Sequence, residues 1–180
     1  MSFGFPDKQP SISKAIFKAV SDHDDSIIFF AAAANSGLNE AEMFPARHEC
    51  VISVRATNSN GAFQDFNPPR SSREMVLGTL GLDVPSSGLS HETGDVYRKG
   101  TSVATAVAAG MAGMLLGFVQ GNAGRNIYCD VIKKTRTREG IVELFENISP
   151  PPNNGQLYVV PWALAGLDDD RRWAKLGALI

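Results

Sequence analysis

The hexapeptide Gly100-Thr101-Ser102-Val103-Ala104-Thr105 runs into a stretch of small apolar residues that reads as a helix from Ser102 to Val119, which puts Ser102 at or near the first turn. A hydroxyl there meets backbone N–H groups without intrahelical partners and the positive end of the helix dipole. That setting suits a nucleophile and stabilises the oxyanion its attack would create. Ser and Thr ahead of an apolar run are also ordinary N-caps, and the hexapeptide alone favours that role. The second candidate is Asn35, which closes the apolar run Ile27 to Ala34 and precedes Ser36-Gly37. An amide at the carboxyl end of a buried strand faces the crevice where α/β proteins bind ligands, and its NH2 group can donate to developing negative charge. Turn formation is the ordinary role of an asparagine in that context.

The elements that must position these residues follow from periodicity. Ser11 to Val20 puts Ile12, Ala15, Ile16, Ala19 and Val20 on one stripe, an amphipathic helix that Asp22, Asp24 and Asp25 break. Ile27 to Ala34 is a strand-length apolar run, as expected of a parallel sheet buried on both faces. Cys50 to Ala56 and Glu74 to Leu80 read as two further strands, whereas Thr57 to Arg73 and Gly81 to Arg98 read as loops. The small residues of the Ser102–Val119 helix permit close approach to the sheet and predict a central position. Asn126 to Thr135 and Arg138 to Phe145 read as helices, Leu157 to Val160 as an edge strand, and Asp168 to Leu179 as a short amphipathic helix. The alternation of helix and buried strand predicts an α/β layered fold.

Composition sets the bounds. The chain has 180 residues, 43% hydrophobic and 20% charged, as in a soluble globular domain. Lys+Arg 17 against Asp+Glu 19, without long single-sign runs, argues against a nucleic-acid or acidic-membrane partner. The cysteines Cys50 and Cys129 are too few for a disulfide framework or a thiolate zinc site, and no metal or cofactor is expected. With no basic and apolar leader at Met1, they point to a cytoplasmic setting. Val103 to Val119 falls short of the roughly 20 residues needed to span a bilayer and is expected to be a buried helix of a soluble core.

Taken in order, Met1-Ser2-Phe3-Gly4, Ile28 to Gly37, Phe44-Pro45-Ala46 with Val51 to Val54, and Gly100 to Thr105 with Ala109-Gly110 resemble the subtilisin-like serine proteases. The resemblance covers residues 1 to about 119. It implies a three-layer parallel-sheet fold and a peptide-hydrolysing site with Ser102 as nucleophile. Asn35 and the Ser102 N–H would form the oxyanion hole. Ser2, Phe3, Gly4, Ala32, Ala33 and Ala34 would flank the substrate, the first three as an added strand. It also divides the chain into a partial catalytic domain, 1–124, and a helical segment, 125–180, packed on it. That segment, with Pro161-Trp162-Ala163, is similar to extensions of fungal intracellular members.

Three departures stand out. Ala106 and Val107 replace the family's proline and histidine in the helix motif, and Ala34 stands where the family usually has glycine. The family's catalytic Asp and His precede the Met-Ser-Leu-Gly strand, where this chain starts, so the expected sheet lacks strands on that side and Ile27 to Ala34 is expected to expose an apolar edge. His23 and His48 are expected in exposed loops. His91, with Glu92 or Asp95, is the least implausible substitute base. Without a base, a serine protease loses roughly four to six orders of magnitude in kcat. The chain is therefore expected to be a nearly inert endopeptidase portion, the alternative being a pseudoprotease that binds a peptide or protein partner.

Overall fold

The computed structural model describes residues 1–37, 40–69, 75–88, 94–121, 133–160 and 162–176. Helix α1, Pro10–Asp22, starts on a proline at its first turn, where the missing N–H costs nothing. Strands β1 (Phe29–Ala32), β2 (Val51–Thr57), β3 (Val76–Leu80) and β6 (Gln156–Tyr158) form one parallel sheet in the order β1-β2-β3-β6. Phe29 pairs with Val51 and Leu77 with Leu157, and β6 takes the expected edge place. At the other edge, β1 is not bare: the Met1 amine donates to Phe30 O, and Ala32 N–H donates to Met1 O at 3.0 Å.

Alternating side chains of a strand face opposite layers. Ala31 and Val51 pack with Ile16 of α1 and with Ala46 on one face. On the other, Phe30, Ile52, Val54 and Ala56 pack against Ala104, Ala108, Met111 and Leu115 of α2, Thr101–Gly121. Helix α3, Arg138–Ile148, adds Ile141, Leu144 and Phe145 to this larger core, each fully buried and worth about 1.5–3 kcal/mol of apolar transfer. It is capped by Thr137, whose side chain accepts from Gly140 N–H at 3.0 Å. A last helix, α4, spans Asp169–Leu176 and buries Leu176 in the same core.

Two expectations need correction. Within Gly81 to Arg98, β4 (Val84–Ser86) and β5 (Val96–Arg98) form an antiparallel two-stranded sheet. They are short and largely exposed, and one holds a proline, so no apolar period marks them. Helix α2 is not wholly buried either: Ala106, Ala109, Gly110, Gly113, Met114 and Gly117 are exposed, and only the stripe through Ala104, Ala108, Met111, Leu115 and Val119 is covered. A helix apolar on every side gives no periodic signal of which face is covered. By length and composition α2 could cross a membrane, but its covered stripe packs on the sheet. Of the expected helix Asn126–Thr135, residues 133–135 are helical and 126–132 lie outside the described residues.

Candidate active site

A relay of backbone hydrogen bonds sets the start of α2. Gly81 N–H donates to Thr57 O at 2.9 Å, at the end of β2, and Gly100 N–H donates to Gly81 O at 2.8 Å. A Cβ on Gly81 would lie 2.9 Å from the Ala104 Cβ and 2.7 Å from the Ala56 Cβ, so helix and sheet meet here only because this residue has no side chain. Gly100 has φ +132° and precedes the first helical residue. A Cβ on it would lie 3.2 Å from Asn35 Nδ2, so the amide packs flat against its Cα.

Asn35 follows β1, and its Oδ1 accepts from Thr101 N–H at 2.8 Å. The side chain therefore caps α2 from another element. Because the backbone N–H can only donate, this bond fixes which amide atom is oxygen and leaves Nδ2 without an acceptor among the described residues. The next helical N–H, that of Ser102, also has no partner among the described residues, as expected of a first-turn donor. The Ser102 side chain is half-buried. The structure thus places the Asn35 side chain at the first turn of the helix that carries Ser102, at the carboxyl end of β1, with Nδ2 and the Ser102 N–H both unengaged among the described residues at the positive end of the helix dipole.

The turn carrying Asn35 is itself held. Gly37 N–H donates to Phe66 O at 2.9 Å, and Asn67, 5% exposed, pairs both of its amide atoms with Ala56 N–H and O at 2.8 Å. Asn67 thus stands in for a strand neighbour of β2. The sequence reading missed it, because one asparagine in a polar loop carries no sign of burial. Of the candidate flanking residues, Ala32, Ala33 and Ala34 are buried. Ala33 N–H donates to Val54 O at 3.1 Å, and its carbonyl accepts from Met43 N–H at 3.0 Å. Ala34 has φ +149°, a conformation that suits glycine. Ser2, Phe3 and Gly4 are exposed.

His48 is not in an exposed loop. It is 6% exposed beneath α1, with Phe17 and Phe44 rings 4.6 and 6.0 Å away. Cys50 N–H donates to its Nδ1 at 3.1 Å, so the neutral ring carries its proton on Nε2 and donates to Ser13 Oγ at 3.0 Å. Burial pushes this imidazole below its ordinary range, against an opposing pull from Glu49. Phe44, Ser13 and Ile16 mark it as part of the α1 layer, across the sheet from α2. His23 is exposed and follows α1 directly, and Asp95 is exposed. His91 and Glu92 lie outside the described residues. Among the described residues no cluster of His, Cys, Asp and Glu is suited to a metal. A cleft of about 800 Å³ lies elsewhere along β2 and β3, where Arg55 pairs with Glu42 at 3.0 Å, and Asn35 and Ser102 do not line it.

A three-layer parallel sheet with a serine and a capping asparagine at one helix N-terminus is the arrangement of a subtilisin-type hydrolase. Residues 1–145 match the subtilase family, peptidase S8, and the chain belongs to that family. It is 35% identical over 111 residues to the cell wall-associated protease of Bacillus subtilis (strain 168), a match covering 61% of this chain and 12% of that protein. It thus spans a small part of that relative's length. In fold it is similar to a mutant protease domain of PatA, with TM-score 0.60, 21% identity, and 91% of this chain and 57% of that one covered. It is also similar to the PatG macrocyclase in complex with peptide, with TM-score 0.54, 22% identity, and 67% and 36% covered.

Proposed function

We propose that the chain is the serine-bearing part of a subtilase endopeptidase. Ser102 Oγ attacks a peptide carbonyl, and the oxyanion accepts hydrogen bonds from Ser102 N–H and Asn35 Nδ2. The observation that carries this reading is the Asn35 Oδ1 bond to Thr101 N–H, which leaves Nδ2 as a donor beside the unengaged first-turn amide. Attack needs a base and an orienting carboxylate. In this reading they come from outside the described residues, from the part that precedes the Met-Ser-Leu-Gly strand in the family. Peptide is bound along Ser2-Phe3-Gly4 as an added strand, with Ala32 to Ala34 as the facing wall, and a reducing compartment accords with the two cysteines. The peptide in the PatG complex supports a polypeptide ligand.

Fluorophosphonate labelling tests this on the whole gene product that contains residues 1–180. Label is expected on Ser102 and absent from Ser102→Ala. A protein that carries the family's histidine and aspartate and is not labelled at Ser102 refutes it. The exposure of Ser2, Phe3 and Gly4 also accords with a second reading, a pseudoprotease that binds peptide without cleaving it. Peptide capture insensitive to Ser102→Ala, with no labelling, supports that reading, and absence of capture counts against it.

A further inference from the structure

The two faces of β2 are unlike. Ile52, Val54 and Ala56 are apolar and pack against α2, whereas the alternate residues Val51, Ser53, Arg55 and Thr57 face the other layer and turn polar after the first of them. Val51 packs with Ile16 and Ala46. Beyond it, Ser53 and Arg55 line the cleft of about 800 Å³, a volume within the range of small-ligand sites. Glu42, Arg47, Glu49 and Arg138 are its other charged lining residues, and Met75, Val76 and Val142 supply apolar wall.

Arg55 is 5% exposed, and its charge is incompletely matched. Its Nη2 donates to Glu42 Oε2 at 3.0 Å and to Pro69 O at 3.4 Å. Nε is sealed from solvent and, like Nη1, has no partner among the described residues. A guanidinium carries five N–H groups, so most of the donors of a buried cation stay unspent, a costly arrangement for a purely structural ion pair. Ser53 Oγ, on the same face of the strand, is likewise buried without a partner, and so is Arg138 Nε. His48 also lines the cleft, but both of its ring nitrogens are engaged, by Ser13 and Cys50. Among the described lining residues the three guanidinium groups face two carboxylates, which leaves one positive charge in excess.

We propose that this cleft binds a carboxylate carried on an apolar body, with Arg55 as its anchor and Ser53 as a second donor. The acid's oxygens accept from the guanidinium N–H groups that Glu42 and Pro69 leave over, and its carbon chain lies against Met75, Val76 and Val142. One excess positive charge matches a monoanion. A phosphate dianion would meet the Glu42 carboxylate beside Arg55 and the exposed Glu49 as well, and gains less. The carboxylate has two sources, a small organic acid or an acidic side chain of a peptide, and the chemistry at Arg55 is the same for both. Asn35 and Ser102 do not line the cleft, so its occupancy does not depend on the catalytic reading.

The test is calorimetric binding of hexanoate and of its uncharged counterpart hexanamide to the full 180-residue chain. Hexanoate is expected to bind roughly ten- to hundredfold more tightly than hexanamide, the range of a hydrogen bond to a charged group, and more tightly than inorganic phosphate. Its addition should also shift the Arg55 Nε–H resonance, a readout that needs no variant. Ser53→Ala should weaken hexanoate by roughly three- to tenfold and leave hexanamide unchanged. Arg55→Lys, which keeps the charge and loses the planar fork, should weaken it further. End-blocked Ala-Glu-Ala and Ala-Gln-Ala separate the two sources: a glutamate peptide held more tightly than hexanoate assigns a peptide side chain, the reverse order assigns a free acid, and either result supports the site. Equal binding of hexanoate and hexanamide, tighter binding of phosphate, or no binding of any acid overturns the proposal. So does hexanoate binding that Asn35→Ala abolishes while Ser53→Ala and Arg55→Lys leave it intact, since the acid then sits at the first turn of α2.

Discussion

Replacing Ala34 by glycine isolates the backbone term at the entry to the candidate site. An alanine at φ +149° holds a strain of about 1–3 kcal/mol. Glycine relieves it, but loses about 0.8 kcal/mol of burial with the methyl and costs about 0.5–1 kcal/mol in chain entropy. With strain near the middle of its range these terms nearly cancel, leaving Ala34→Gly stabilised by about 0.5 kcal/mol. Ala33 is the internal control: it is fully buried, directly adjacent, and outside the positive-φ region. Ala33→Gly suffers the same two losses with nothing to offset them, about 1.5 kcal/mol. The two variants therefore differ by about 2 kcal/mol, which for a chain of this size separates their melting temperatures by roughly 4–8 °C. Thermal or urea unfolding of both beside the parent measures this directly. If Ala34→Gly falls as far as Ala33→Gly, no strain is stored at that position and the account of the family's glycine as a backbone requirement is wrong for this chain.

Asn35→Ala should lose about 1 kcal/mol as the cap of Thr101 disappears, whereas Asn35→Asp keeps an acceptor there and should melt close to the parent. In an active protein both lower kcat about 100- to 1,000-fold, so the aspartate variant separates capping from oxyanion stabilisation. Asn67→Ala removes both bonds to Ala56 and should cost about 2–3 kcal/mol, read as a shifted urea midpoint. His48 is held below its ordinary value by burial, so the unfolded chain binds a proton more readily; the stability it contributes is present above about pH 6.5 and is lost as pH falls toward the folded value. Melting temperatures measured across this window should fall with acid, and His48→Gln should flatten the slope.

Periodicity made the main elements legible. The stripe of α1, the apolar runs of β1 and β2 and the β-branched β3 each appear within a few residues of their expected bounds. Ser102 and Asn35 could be picked out because a first-turn hydroxyl and a strand-end amide are positions with a chemical meaning, and α2 brings them together. What could not be read depends on contacts between distant segments. The β4–β5 pair is backbone bonding on an exposed excursion, with too few apolar residues to leave a pattern. His48 sits among charged neighbours in sequence yet lies under Phe17, and nothing local distinguishes it from an exposed loop histidine. The role of Gly81 is visible only once Ala56 and Ala104 face each other across it.

The bond from Gly100 N–H to Gly81 O has a consequence for how the protein can change. It closes residues 81–100 into a loop whose two ends lie within one hydrogen bond, while the start of α2 is held by this main-chain bond and by the Asn35 side chain, which lies outside the loop. Loop length has only a weak effect on closure cost, about 0.6 kcal/mol for each doubling. The excursion that contains β4 and β5 is therefore an exchangeable insert: its length and sequence are free to drift, or to be replaced by a grafted segment, without shifting Ser102, provided both glycines and their shared bond remain.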